Sequence, residues 1–331
     1  MKIAINGFGR IGRATFKILL EKHKNLQVVA INDLTDNDTL AHLLKYDTVY
    51  GVYDKKVKAT KTSLVVDSKS YKSLSEKDPE KLPWKELGVD IVLECTGLFR
   101  TKESAGKHLK AGAKKVILSA PAKDDKIPTY VLGVNHQKIK KSDKIISNAS
   151  CTTNCIAPIT KIIEDKIGIK KVMMTTIHAY TAGQNLIDGP KNDLRRARSA
   201  AENIVPTTTG AAIATQKVIP KLKGKFDGIS VRVPIPVVSM SDFVFLLKKK
   251  TTEEKVNKLF VQAKKQAQCK GILDATEEPL VSSDFIGNPY STIVDLQMTK
   301  IVDGDLLKIV AWYDNEWGYS SRLADMVSLV S

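Results

Sequence analysis

The sequence predicts an α/β protein in two parts: a doubly wound parallel sheet, then an α+β domain on a mostly antiparallel sheet. Three observations carry that expectation. Gly7, Gly9 and Gly12 form a G-x-G-x-x-G between a short apolar run and a helical pattern. Over the first 150 residues, short apolar strands alternate with helix-period segments, the pattern of parallel βαβ units. After Cys151 the strands lengthen and alternate with polar residues, as suits a sheet covered on one face. The first part therefore reads as a Rossmann-type sheet.

The elements follow in order. Lys2–Asn6 is an apolar strand and Arg10–His23 a helix with Ile11, Ala14, Ile18 and Leu19 on one face. Leu26–Ile31 is the next strand, ending at Asn32 and Asp33. Strands are expected over Asp90–Cys95, Lys115–Leu118, Tyr130–Gly133 and Lys144–Ser147, with a helix over Thr101–Ala111. A helix runs from Thr152 to about Lys166, with Ile156, Ile159, Ile162 and Ile163 as its apolar positions. Strands follow at Lys171–Ile177, Gly228–Pro234, Ser239–Lys248, Thr292–Asp295 and Leu306–Tyr313. Between the first two lies an irregular stretch, Thr181–Pro206, of a length that is usually functional. A last helix from about Glu316 offers Leu323, Met326, Val327 and Leu329 for packing on the first domain.

Composition narrows the class. Hydrophobic residues make up 43% and charged residues 27%, which excludes collagen-like, low-complexity and disordered chains. No apolar run approaches the roughly 18 residues of a membrane span, and the N-terminal MKIAINGFGR reads as a strand entering a glycine turn, not a signal peptide. Cys95, Cys151, Cys155 and Cys269 are too few and scattered for a disulfide scaffold; free thiols in a reducing cytoplasm are expected. The net charge of +16 comes from lysines in short groups such as Lys138 to Lys141 and Lys248 to Lys250, without interleaved aromatics. That favours a solvated surface that attracts anionic phosphorylated substrates, with nucleic-acid binding at most a secondary activity.

The glycine turn has a mechanical reading. One glycine makes the tight turn, one lets the backbone approach a pyrophosphate, and one allows close helix–strand packing, while the helix N-terminus faces the phosphates. Asp33 ends the second strand 21 residues after Gly12, where a carboxylate accepts from both ribose hydroxyls and repels a 2′-phosphate. NAD is thus expected over NADP. Thr96–Gly97 and Ser119–Ala120–Pro121 fall at later strand ends, along the same crevice.

Ser147-Asn-Ala-Ser-Cys-Thr-Thr-Asn-Cys155 places Cys151 at a loop–helix junction, where the helix end lowers a thiol's pKa. His178, at the end of the Lys171–Ile177 strand, is the expected partner in a thiolate–imidazolium pair. Cys155, one turn on, is read as a core thiol. Cys151 and Cys155 as a metal pair lack two further ligands at suitable spacing, so no metal is expected. Anion-binding residue types gather nearby in sequence: Ser150, Thr152, Thr181, Arg195, Arg196, Arg198 and Thr207-Thr-Thr-Gly210 ahead of a helix. Arg232 is a lone guanidinium in an apolar strand, which means a paired or ligand-facing side chain. Two phosphate-sized pockets beside one nucleophile are implied.

With these residues in view the chain resembles the phosphorylating glyceraldehyde-3-phosphate dehydrogenases. The resemblance rests on Asn6-Gly-Phe-Gly-Arg-Ile-Gly12, the cysteine segment, Asp193-Leu-Arg-Arg-Ala-Arg198, Pro206-Thr-Thr-Thr-Gly210 and Trp312-Tyr-Asp-Asn-Glu-Trp-Gly-Tyr319, and spans nearly the whole chain. It implies a cytoplasmic glycolytic homotetramer that oxidises glyceraldehyde 3-phosphate with NAD and inorganic phosphate to 1,3-bisphosphoglycerate. It implies an NAD-binding domain over 1–150, a catalytic domain over 151–315, and a C-terminal helix over 316–331 that packs back on the first. Cys151 is then the nucleophile and His178 its base. Gly7, Gly9, Arg10, Ile11, Gly12, Asp33, Lys77, Thr96, Gly97, Ser119 and Asn315 serve the cofactor. Ser150, Thr152, Thr209 and Gly210 hold inorganic phosphate; Thr181, Arg196 and Arg232 hold the substrate phosphate.

Three positions depart from that family pattern. Tyr180-Thr-Ala-Gly-Gln184 puts Gly183 where a side chain often helps the substrate phosphate. Gly189-Pro190 stands where NAD-type members commonly carry Leu-Pro, leaving cofactor choice to Asp33. Lys77 replaces a common arginine near the adenine. The rival readings are an erythrose-4-phosphate dehydrogenase of the same superfamily, separated by relative activity on the two aldehydes, and an RNA- or membrane-binding protein, separated by salt-dependent RNA affinity.

Overall fold

The computed structural model describes residues 1–330. They form two compact units. The first comprises Met1–Tyr130, Gln137–Ala149 and the described residues from Ser320 onward. Its strands are β1 (Lys2–Asn6), β2 (Gln27–Asn32), β3 (Val57–Thr60), β4 (Ser63–Val66), β5 (Lys69–Leu74), β6 (Ile91–Glu94), β7 (Lys115–Leu118) and β8 (Ile145–Ser147). They order as β8-β7-β6-β1-β2-β5-β4-β3. The six from β8 to β5 run parallel; β4 and β3 add an antiparallel edge. The strand order reverses on either side of β1, so the loops after β1 and β6 open the crevice where open α/β sheets bind ligands.

The helices α1 (Arg10–Lys22), α2 (Asn37–Lys45) and α3 (Lys102–Lys110) alternate with these strands. On α1, Ala14, Phe16, Ile18 and Leu19 are buried, giving the helix the apolar stripe that fixes it on the sheet. Under α3, Trp84 is fully buried among Ala4, Ala30, Leu82 and Val92.

The second unit comprises Val131–His136 and Ser150–Tyr319. Its long helix is α4 (Cys151–Lys166), followed by β9 (Ile169–Ala179), β10 (Val205–Thr208), α5 (Ala211–Val218), β11 (Phe226–Val233) and β12 (Ser239–Leu247). Next come α6 (Glu253–Ala263), β13 (Leu273–Thr276), β14 (Thr292–Val302) and β15 (Leu306–Tyr313); α7 (Trp317–Leu329) starts in this unit, and its residues from Ser320 onward belong to the first. The sheet order is β10-β11-β9-β12-β15-β14-β13. Four of its neighbour pairs are antiparallel, while β9–β11 and β13–β14 are parallel. The β9–β11 register sets His178 opposite Arg232.

Several expected elements differ. Tyr130–Gly133 is not a strand: only Thr129 bridges to Ser147, and Gly133 turns the chain at φ 79°. The β3–β5 edge was not foreseen, because Val57–Thr60 carries two lysine-flanked half-buried positions rather than an apolar face. β14 continues past Asp295 to Val302 through a shift of register. On α7, Leu323, Met326 and Val327 are buried but Leu329 is 47% exposed, so it does not join them. Within the first unit His23 contacts Ser328 (2.8 Å) and Asp325 (3.4 Å) from the last helix. No described helix is long and apolar enough to cross a membrane.

Candidate functional site

In the first unit the glycine pattern is read out in atoms. Gly7 has φ 93°, and a Cβ on it would lie 2.7 Å from the Thr96 amide. A Cβ on Gly12 would lie 2.2 Å from the Gly7 carbonyl oxygen. Gly9, the cap residue of α1, is different: a Cβ there meets nothing within 4 Å and no side chain caps the helix. The N-terminus of α1, opened by Gly9, is the kind of helix end that attracts an anion. Arg10 itself turns its guanidinium to Asp47 (2.6 Å) and the Tyr50 ring.

Asp33 follows β2 directly, and its Oδ2 accepts from the Phe8 amide at 2.7 Å. Beside it a cavity of about 370 Å³ is lined by Asp33, Leu34, Lys77, Thr96, Leu98 and Phe99 among others. A slot with an apolar rim, the Asp33 and Glu76 carboxylates and a glycine turn fits a nucleoside with its pyrophosphate on α1. Gly97 (φ 71°) and Ser119 occupy the turns after β6 and β7.

A buried polar cluster beneath these turns went unnoticed in the sequence. Glu94 accepts from Asn6 Nδ2 (2.6 Å), His108 Nε2 (3.0 Å), the Thr96 amide (2.8 Å) and the Thr96 hydroxyl. Trp84 Nε1 donates to His108 Nδ1 at 3.0 Å, which leaves the imidazole's proton on Nε2, facing the carboxylate. Asn32 joins through Asn6. The signal was faint, since Glu94 is the single charge in an apolar strand, Ile-Val-Leu-Glu.

Ala149, the last residue of its segment of the first unit, turns the chain at φ 55°, and in the second unit Ser150 caps α4, accepting from the Thr153 amide at 3.1 Å. Cys151 is thus the first residue of α4. Its Sγ lies 3.5 Å from His178 Nε2. Burial pushes the thiol's pKa up, partly offset by the Arg232 charge and by Thr152. The backbone amides at the start of α4 do lower it, as expected from sequence, but burial outweighs them and the net direction is up. Burial, and next the Arg232 guanidinium, takes His178 down to about 3. Burial thus favours the uncharged form of each side chain.

The expected anion residues sit as follows. Thr152 Oγ1 is 3.0 Å from Tyr313 Oη, which also meets Thr176 Oγ1 at 2.9 Å. Arg232 Nη1 reaches His178 Nδ1 (2.6 Å) and the Ala179 carbonyl (3.0 Å). Arg196 donates to Thr207 Oγ1 and the Thr208 carbonyl and pairs with Asp193 (3.3 Å). Thr209 Oγ1 accepts from Ala211 N, and Gly210, the cap residue of α5, has open space around it. Thr181 is exposed, and its Oγ1 accepts from the Gly183 amide at 3.3 Å. Asn315 Oδ1 accepts from Ser239 Oγ, which itself accepts from the Ala179 amide. Tyr313 and Ser239 were missed as supports, although Tyr313 lies inside the Trp312–Tyr319 motif. The loop from Thr181 is irregular but self-bonded, with Gly189 N donating to the Ala197 carbonyl and Asn185 N to that of Arg196.

Comparison with known proteins matches both units. Residues 1–102 match the family described as glyceraldehyde 3-phosphate dehydrogenase, NAD binding domain, and residues 150–315 match its C-terminal domain. A glyceraldehyde-3-phosphate dehydrogenase of Streptomyces coelicolor is 52% identical over 331 residues, covering 100% of this chain and 98% of the relative. That of Geobacillus stearothermophilus is 52% identical over 332 residues with the same coverage. That of Mycobacterium avium is 53% identical over 337 residues, again with 100% and 98% covered. The chain belongs to the glyceraldehyde-3-phosphate dehydrogenase family and carries both its NAD-binding and its C-terminal domains.

Proposed function

We propose that the chain performs the phosphorylating reaction: glyceraldehyde 3-phosphate is oxidised through a Cys151 thioester and released as 1,3-bisphosphoglycerate. The 3.5 Å approach of Cys151 Sγ to His178 Nε2 at the start of α4 is the observation that carries this reading. His178 takes the thiol proton as sulfur attacks the aldehyde, giving a hemithioacetal. Its imidazole, then charged, faces the developing oxyanion and later gives up the proton. When bound, NAD supplies the hydride acceptor. The covalent intermediate holds the oxidation energy until inorganic phosphate attacks the thioester carbon and frees the thiol.

The α1 end with Gly7, Gly9, Arg10, Ile11 and Gly12 takes the pyrophosphate, Asp33 the ribose, and Lys77, Thr96 and Gly97 the adenine side. Ser150, Thr152, Thr209 and Gly210 hold inorganic phosphate. Thr181, Arg196 and Arg232 hold the substrate's phosphate, with no help from Gly183. The enzyme works in the cytoplasm as a homotetramer. Exposed apolar side chains in the irregular loop, such as Leu194 at 80% and Leu186 at 76%, support subunit contacts there. The test is NADH absorbance with glyceraldehyde 3-phosphate, with and without phosphate: sustained turnover requires both.

A further inference from the structure

We infer that Ser239 is a positioning residue: it locks the Asn315 carboxamide so that its NH2 donates to the carboxamide oxygen of a bound nicotinamide ring. The inference rests on the reaction proposed above, in which NAD accepts the hydride. Register puts Ser239 where it can do this. β12 lies between β9 and β15 in the sheet. Met240 pairs with Ile177 on one side and with Trp312 on the other. Ser239, one residue earlier and 2% exposed, therefore sits between the ends of β9 and β15. The chain enters β12 through Val238, which is buried and at φ 68°. The left-handed region is strained for a β-branched residue, and such a conformation persists only where its surroundings impose it.

The hydrogen bonds have a direction. The Ala179 amide donates to Ser239 Oγ at 3.2 Å, which leaves the hydroxyl's one proton for another acceptor. Asn315 Oδ1 takes it, at 3.0 Å. If the Asn315 amide turned over, Nδ2 would face Oγ and the hydroxyl proton would be stranded in the interior. The carboxamide thus has one favoured orientation. Nδ2, its only donor group, makes no hydrogen bond among the described residues.

The same chain of bonds decides what Nδ2 serves. Ala179 follows His178, whose Nε2 is 3.5 Å from Cys151 Sγ. The end of NAD that must come near this sulfur is the one that accepts hydride, the nicotinamide, and not the adenine. That ring carries a carboxamide whose oxygen accepts a hydrogen bond. An asparagine NH2 held in place beside the reacting centre orients the ring, and less side-chain ordering is left to be done when the cofactor arrives. The base and the anchor of the ring then hang on one backbone segment, His178–Ala179.

The test is calorimetric titration of Ser239→Ala with NAD and with ADP-ribose, which keeps the nucleotide but has no nicotinamide. We expect NAD to bind about three- to tenfold more weakly, the scale of one hydrogen bond, and ADP-ribose to bind as in the wild type. In an Asn315→Ala background the same substitution should weaken NAD no further. Equal weakening of both ligands overturns the inference, since a merely structural Ser239 would disturb both. Unchanged NAD binding overturns it too, as does full additivity with Asn315→Ala. Should Ser239→Ala not fold, Ser239→Cys, which keeps the shape but donates weakly, takes its place with the same expectations. Wild-type enzyme is assayed in parallel for phosphate-dependent NADH formation. Active wild type with an unselective loss in the variant overturns only the positioning role, whereas absent activity overturns the proposed reaction.

Discussion

Asp33 Oδ2 accepts a hydrogen bond from the Phe8 amide at 2.7 Å, tying the carboxylate after β2 to the glycine turn after β1. Its Oδ1 accepts from the Thr35 amide at 3.0 Å. The side chain thus holds its own loop and the pyrophosphate turn before any ribose arrives. We expect NAD to be preferred over NADP and Asp33→Ala to narrow that preference. The variant should also raise KM for NAD by roughly tenfold or more, from losing charged hydrogen bonds. Steady-state kinetics with both cofactors checks this; equal use of both by the wild type would move cofactor choice away from Asp33.

Cys151 and Cys155 make a matched pair of variants. Cys151→Ser should lose at least about a thousandfold in kcat, as removal of a nucleophile does elsewhere, while NAD binding persists. Cys155 Sγ is enclosed by Thr292 (3.5 Å) and Ser241 (4.0 Å), and burial pushes its pKa up to about 12. Cys155→Ser should stay within severalfold of wild type. Titration of NAD by tryptophan fluorescence and turnover measurements separate the two roles.

Arg232→Lys keeps the charge but not the fork. With glyceraldehyde 3-phosphate we expect a ten- to hundredfold loss in kcat/KM, roughly 1.5–3 kcal/mol. With unphosphorylated glyceraldehyde the loss should be small. Equal losses on both, matched by a lower melting temperature, would assign the residue to structure.

Glu94 accepts four hydrogen bonds in the interior and is 1% exposed. Glu94→Ala strands the donors of Asn6, Thr96 and His108. The cost should be about 3 kcal/mol or more, and KM for NAD should rise as the Thr96 turn loosens. Calorimetry checks the first effect; an unchanged melting temperature would mean the cluster repacks freely.

Acid stability follows from His178. Its folded pKa is about 3, below the unfolded value near 6.5. Between those values the unfolded chain binds more protons, so stability falls as pH drops through that window, by up to about 1.4 kcal/mol per pH unit. His178→Asn should flatten the dependence of melting temperature on pH there. A slope identical to wild type would place the acid sensitivity in other groups.

Much of this was legible in the sequence because it rests on local chemistry. Gly7, Gly9 and Gly12 need no distant partner to declare a turn and a helix end, and Cys151 needs only the cap at Ser150. What the sequence hid was contact across strands. Arg232 signals a paired guanidinium, but its partner is set by the parallel β9–β11 register, which no periodicity encodes. The protonation of Cys151 and His178 depended on burial by elements far along the chain, and burial outweighed the helix end. Tyr130–Gly133 looked like a strand from its apolar residues, yet Gly133 at φ 79° breaks it.

The covalent intermediate offers the sharpest measurement. Enzyme, NAD and glyceraldehyde 3-phosphate are mixed without phosphate, and NADH and the intact protein mass are followed together. About one NADH should form per active site, with a phosphoglyceroyl adduct on the Cys151 peptide that disappears when phosphate is added. Sustained NADH production without phosphate, or an adduct on Cys95, Cys155 or Cys269 instead, would contradict a Cys151 thioester opened by phosphate.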